Sequence, residues 1–170
     1  MLSTKLINRA DVSLYKQISQ TVYDSVFDAL VLETQIQDIA PLLGEDLFNS
    51  ILKNLNPYND LLNGGEYTVN NITYVNYGLK AVISYYFYAR YQMFGGVTDT
   101  PFSMVEKLNG AESRPISEKS KKDLYNLNRD SAFTVWKSVE NYLIRKQIPL
   151  FNSNSICSVK NQSFKFTKIG

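Results

Sequence analysis

Histidine is missing from all 170 residues, and cysteine occurs once, as Cys157. Without histidine the commonest general base and every histidine-dependent triad are excluded. With a single thiol there is no internal disulfide framework, and the usual ligand set of a zinc site has nothing to be built from. The longest apolar run, Ala81–Ala89 with Ser84 inside it, lies between Lys80 and Arg90. It is far shorter than the ~20 residues a membrane span needs. No apolar run follows Lys5 and Arg9 near the start, so a signal peptide is not expected. No phosphate-cradling glycine loop or dinucleotide fingerprint occurs; the pairs Gly64-Gly65 and Gly95-Gly96 stand in turn positions. The sequence therefore predicts neither an enzyme nor a cofactor.

What is present is ordinary for one globular domain: 44% hydrophobic and 20% charged residues, with a formal net charge of +2. So small a net charge does not imply a nucleic-acid partner. The placement of the charges says more. From Gln17 to Leu52 there are six acids (Asp24, Asp28, Glu33, Asp38, Glu45, Asp46) and no base. From Asn141 to Gly170 there are five bases (Arg145, Lys146, Lys160, Lys165, Lys168) and no acid. The two ends either pair within one chain or meet between copies. Head-to-tail contacts of the second kind are heterologous, and they close into rings where the rotation permits.

Helical periodicity is strongest in Val75–Phe94. Val75, Leu79, Val82, Tyr86, Ala89 and Met93 form one row, and Ile83, Phe87 and Phe94 a second. A helix apolar around most of its circumference belongs in the middle of a bundle. Its tyrosines are either polar-tipped core or contacts to another subunit. The rest of the chain is placed around it. Residues 1–20 read as an arm with Leu6, Ile7, Val12 and Tyr15 as anchors. A helix is predicted over Thr21–Ile39, capped by Asp24 or Ser25 and ended by Pro41. A short helix follows from Glu45 to Leu55, then a loop over Asn56–Gly65. Glu66–Val69 and Ile72–Val75 flank Asn70-Asn71, the signature of a small hairpin. A long connection over Val97–Ile116 leads to the longest helix, from Ser117 or Ser120 to about Gln147, with Pro149 behind it. Leu124, Leu127, Ser131, Val135, Val139 and Tyr142 are its predicted face, flanked by Ala132, Trp136 and Leu143. Residues 149–170 form an extended tail whose last part, SFKFTKI, alternates apolar and cationic residues like a strand. The fold class is thus mainly α: a helical domain over residues 21–148 with one long C-terminal helix, a small hairpin and extended terminal arms.

The expected contact residues are Asp24, Asp28, Glu33 and Asp38 on the acidic side, and Arg145, Lys146, Lys165 and Lys168 on the basic side. Tyr67 and Tyr74 of the hairpin, Phe102 of the long connection, and Phe164 and Phe166 of the tail complete the set. An alternative is a nucleic-acid-binding module, with the basic tail gripping phosphates and Phe164 and Phe166 stacking on bases.

Four segments together carry a resemblance: DALVLETQIQDIAPLLGEDLFNSIL, GGEYTVNNITYVNYGLKAVISYYFYARY, TDTPFSMVEKLNG and SVENYLIRKQIPLF. They resemble the small head–tail connector (adaptor) proteins of tailed bacteriophages, above all those of Bacteroides-type hosts, crAss-like phages included. The helix–LLG–helix corner at Ile36–Ile51 and the run Tyr77-Gly78-Leu79-Lys80 are the most specific parts, and the likeness spans roughly Asp24 to Phe151. It implies a helical virion subunit, assembled in the host cytoplasm, that forms a twelvefold ring under the portal protein at the head–tail interface. It also implies a docking surface for the next tail component, and genomic DNA passing through the channel without sequence-specific binding. Neither a membrane nor a catalytic residue is implied.

Overall fold

In the hairpin, Asn70 and Asn71 both take positive φ (51° and 62°), as a two-residue turn between right-twisted strands requires. They join β1 (Gly65–Val69) to β2 (Ile72–Asn76) in antiparallel register, with Tyr67 opposite Tyr74. A computed structural model describes residues 4–19, 22–95, 97–99, 104–106 and 116–152 of the chain. Mainly helical, it contains α1 (Arg9–Ser13), α2 (Asp24–Thr34), α3 (Ala40–Leu43), α4 (Glu45–Lys53), α5 (Asn59–Asn63), α6 (Leu79–Phe94) and α7 (Glu118–Arg145).

The aromatic helix is central, as its periodicity predicts. On α6 the chain buries Leu79, Val82, Ile83, Tyr86, Phe87 and Ala89, residues that point in several directions around the axis. The helix begins at Leu79 rather than Val75, because Val75 and Asn76 are spent on the ladder of β2. Its main partner is α7, antiparallel to it. Tyr86 in mid-α6 lies under Arg129, while the Tyr77 amide just before α6 donates to Ser138 Oγ at 3.3 Å. Trp136, Val139 and Leu143 of α7 are sealed in the same core as Phe27, Val31, Leu47, Ile51 and Leu61.

Where α5 leads into β1 and β2 leads into α6, two backbones touch. Gly64 (φ 77°) and Gly78 (φ 84°) stand back to back: a Cβ on Gly78 would come within 2.7 Å of the Asn63 carbonyl carbon. Only glycine fits this crossing. Asn76 bridges it, donating to the Asp60 carbonyl (2.9 Å) and accepting from the Gly78 amide (3.0 Å).

Several expectations need correcting. Pro41 does not end the second helix. Gln35–Ile39 forms a π turn, and the chain stays helical through α3 with Pro41 in its first turn. Neither Asp24 nor Ser25 caps α2; Tyr23 stands at the cap position, and its side chain does not bond the cap. The predicted loop Asn56–Gly65 contains a 3-10 turn (Asn56–Tyr58) and α5, which buries Leu61 and Leu62. The long connection holds a second small antiparallel pair, β3 (Val97–Asp99) with β4 (Met104–Glu106). The Gly95 stop does hold α6, but in ordinary right-handed conformation. On α7 Val139 and Tyr142 of the predicted face are buried together with the flanking Ala132, Trp136 and Leu143, but Asn128 is buried with them and Leu124 and Leu127 are exposed. Ser117, one of the two predicted starts, caps it by accepting from the Ser120 amide.

Candidate functional site

Four of the six acids in the acidic stretch, Asp24, Asp28, Glu33 and Asp38, are paired within the chain. Lys5 meets Asp28 at 2.7 Å and Arg9 meets Asp24 at 2.9 Å, so two bases four residues apart clasp two acids four residues apart. This pins the N-terminal arm along α2. The arm is held a second way by Gln35, buried in the π turn. Its carbonyl accepts from the Leu6 amide (2.7 Å) and its amide donates to the Thr4 carbonyl (3.0 Å). Leu6, Ile7 and Val12 then enter the core. The arm docks on its own chain.

Asp38, in the same π turn, is the deepest charge. One carboxylate oxygen accepts from Arg90 Nε at 2.7 Å and the other from Arg129 at 2.6 Å. Arg90 also donates to Glu33 (2.7 Å) and Gln37 (3.0 Å). The π turn brings Glu33, Gln37 and Asp38 to one guanidinium, and π turns often mark functional positions. Here the arrangement is closed: the Asp38 side chain is 2% exposed and both its oxygens are occupied. Burial disfavours the charge on Arg129, but the Asp38 hydrogen bond and charge outweigh that and hold its pKa above the ordinary value. Burial raises the Tyr86 hydroxyl beneath it, with Arg129 pulling the other way.

At the opposite end of the helix pair, the hairpin leans on α7. Tyr67 packs edge-on against Tyr142 (5.0 Å) and tilted against Tyr74 (5.6 Å). Arg145 covers the Tyr74 ring at 3.8 Å and donates to the Tyr67 hydroxyl at 3.1 Å. Lys146 lies 6.0 Å from the Tyr67 ring centre. Burial raises the pKa of Tyr142 here, helped by the negative charge of Asp60.

Of the contact residues predicted from sequence, then, Asp24, Asp28, Glu33 and Asp38 pair with Arg9, Lys5, Arg90 and Arg129, and among the described residues not with Arg145 or Lys146 of the basic C-terminal stretch. Asp38 is corrected from a contact to a core residue, and Tyr67 is buried as well. Arg145 is committed to the hairpin tyrosines. Phe102, Phe164, Lys165, Phe166 and Lys168 lie outside the described residues. The tyrosine rim of α6 faces the arm: Lys16 sits over Tyr85 (4.4 Å) and Tyr88 (5.3 Å), and Tyr15 lies tilted against Tyr85 at 6.1 Å.

Sequence reasoning missed the roles of Gln35, Arg90 and Arg129. The available signal was an arginine in each of two apolar helix faces, since a buried charge demands a partner. It also missed the outer sides of α7. At ~100° per residue, Leu124 and Leu127 fall on one flank of the buried face, and Phe133 and Ile144 on the other. All four are exposed, Leu127 to 62%.

Among the described residues every buried side-chain nitrogen and oxygen has a hydrogen-bond partner, and no acid cluster is positioned to hold a metal ion. No described helix is long and apolar enough to cross a membrane. The fold defines a mainly helical chain built on an antiparallel helix pair, whose distinctive features are surfaces rather than a cleft. Residues 39–161 match a family described as a family of unknown function (DUF6712), and the chain belongs to that family. No curated protein and no solved structure matches it.

Proposed function

We propose that the protein is a virion structural subunit, a ring-forming head–tail adaptor. In this reading it docks under the portal, extends the DNA channel and presents a platform to the next tail component. The reading grows from the sequence resemblance. The observation that carries it in the structure is the pair of exposed apolar flanks on α7: Leu124 and Leu127 on one side, Phe133 and Ile144 on the other. A two-fold dimer uses one patch twice, whereas a ring subunit needs a different patch on each side. Exposed apolar residues on two flanks of one rigid helix provide that geometry. The acids of α2 are paired within the chain, whereas α7 is a 28-residue helix that exposes apolar side chains on both flanks. In this role the chain needs no cofactor and performs no catalysis.

Native mass spectrometry of the purified protein, alone and with the portal protein of the same phage, tests the reading. A defined ring or a portal-bound assembly is expected, and L127D and F133D each abolish it while the isolated chain stays folded. A strictly monomeric chain that ignores the portal would sink the proposal.

A further inference from the structure

An open groove lies between the corner after the π turn and the last described residues. Ile36, Pro41 and Phe48 form its apolar wall and Leu150 faces them. Phe48 is buried at the base of the wall, while Ile36 is 47% exposed and Leu150 55% exposed, so the rim of the groove is uncovered. Glu45 and Asp46 stand on its lip, in the first turn of the nine-residue α4. Unlike the acids of α2, neither makes an ion pair among the described residues. The groove therefore lacks two things, apolar cover and positive charge.

The chain supplies both from the point where it leaves the groove. Asn152 is itself a groove residue. The 18 residues that follow, 153–170, carry Lys160, Lys165 and Lys168, no acid, and the apolar residues Ile156, Val159, Phe164, Phe166 and Ile169. We infer that the segment Ser163–Ile169 docks in this groove of its own chain, with Phe164 and Phe166 on the Ile36–Phe48 wall and Lys165 and Lys168 against Glu45 and Asp46. The intervening ten residues, 153–162, include Asn154, Ser155 and Asn161. A chain of that length spans roughly 17 Å on average, enough to double back across the groove mouth. Tethering at that distance gives an effective concentration on the order of millimolar. Modest apolar contacts and two surface ion pairs then suffice for docking within the chain, where a free peptide would bind weakly. The inference is independent of the ring reading, since it concerns one copy.

The test places a photo-reactive p-benzoylphenylalanine at Phe164 of the full-length chain and maps its cross-links by mass spectrometry. The sample is an equal mixture of nitrogen-14 and nitrogen-15 protein. Cross-links to peptides carrying Ile36, Pro41 or Phe48 are expected, with both halves of each product from the same isotope. The isosteric pair E45Q/D46N and the charge reversal K165E/K168E are each expected to lower the yield about tenfold. Combining E45K/D46K with K165E/K168E is expected to restore it. Cross-links elsewhere, or yields indifferent to all of these charges, overturn the inference. Isotopically mixed products overturn it too, because the occupant is then the tail of a second copy.

Discussion

At one end of the α6–α7 pair, Asp38 is enclosed by two arginines; at the other, Arg145 lies open over the ring of Tyr74. Both ends fasten a separate element to the same two helices. The π turn is fastened by a carboxylate that has lost its water, the hairpin by buried rings and an exposed cation that keeps its own. Where water is excluded, removing one partner leaves a bare charge and costs much more than the pair contributes. Where water remains, the loss is close to the contact itself. The two ends should therefore respond very differently to single substitutions.

The largest effect is expected at the closed end. Asp38→Ala takes a buried partner from Arg129 and leaves Arg90 with Glu33 and Gln37 alone; it should cost about 3 kcal/mol, measured as the shift in a urea unfolding curve. A loss below about 1 kcal/mol, the level of an exposed pair, would erase the contrast between the ends. Next comes Gln35→Ala, which frees the Thr4 carbonyl and the Leu6 amide. About 1–3 kcal/mol is expected, and limited trypsin digestion should cut after Lys5 and Arg9 much sooner than in the parent. Unchanged digestion would mean that the Lys5–Asp28 and Arg9–Asp24 pairs hold the arm alone. At the open end, Arg145→Ala should cost only about 0.5–1 kcal/mol. A loss as large as that of Asp38→Ala would show the hairpin end to be dry as well.

The smallest effect is in pH. Tyr86 belongs to the closed end and Tyr142 to the open one, and burial raises both above the ordinary value of 10.0. The folded chain keeps these protons where the unfolded chain releases them. Their contribution is thus fully present below pH 10 and falls as pH rises beyond it. Alkaline unfolding should begin later in Tyr86→Phe and Tyr142→Phe than in the parent. An identical alkaline limb in both variants would assign the loss to other groups.

Local signals on the sequence placed much of this fold. The asparagine pair at 70–71 dictates its own turn, and the apolar rows of α6 leave no side for solvent. Ser117 and Pro149 bracket the long helix from outside. What stayed hidden depends on residues far apart in the chain. Pro41 looks like a stop because the π turn that shifts the helix phase ahead of it has no local signature. Its reward is the meeting of Asp38 with Arg90 and Arg129, from two other helices. The face of α7 was misjudged for a related reason. Leucines at 124 and 127 outweigh Asn128 on any hydrophobicity scale, yet Asn128 turns inward and donates to the Leu124 carbonyl at 2.7 Å. The acidic and basic ends looked like partners, while Lys5 and Arg9, few and near the start, were the cations that closed on α2. Of the surfaces that frame the proposals, the acids on the groove lip were visible in sequence. The two flanks of α7 became visible only once the buried face was known.

The Asp38 cluster also sets an order of events during synthesis. Asp38 and Arg129 are 91 residues apart in the chain, and Arg90 lies 52 residues after Asp38. Until α6 emerges from the ribosome, the aspartate in the π turn has no guanidinium to meet. Until α7 emerges, its second oxygen is unsatisfied. The arm is made first but can be locked only after Gln35 is in place. The nascent chain therefore carries an unfinished centre for most of its translation, and the strongest contact is among the last to close. Domains tend to fold as whole units; here one carboxylate, waiting for an arginine three-quarters of the way along the chain, gives that tendency a definite trigger.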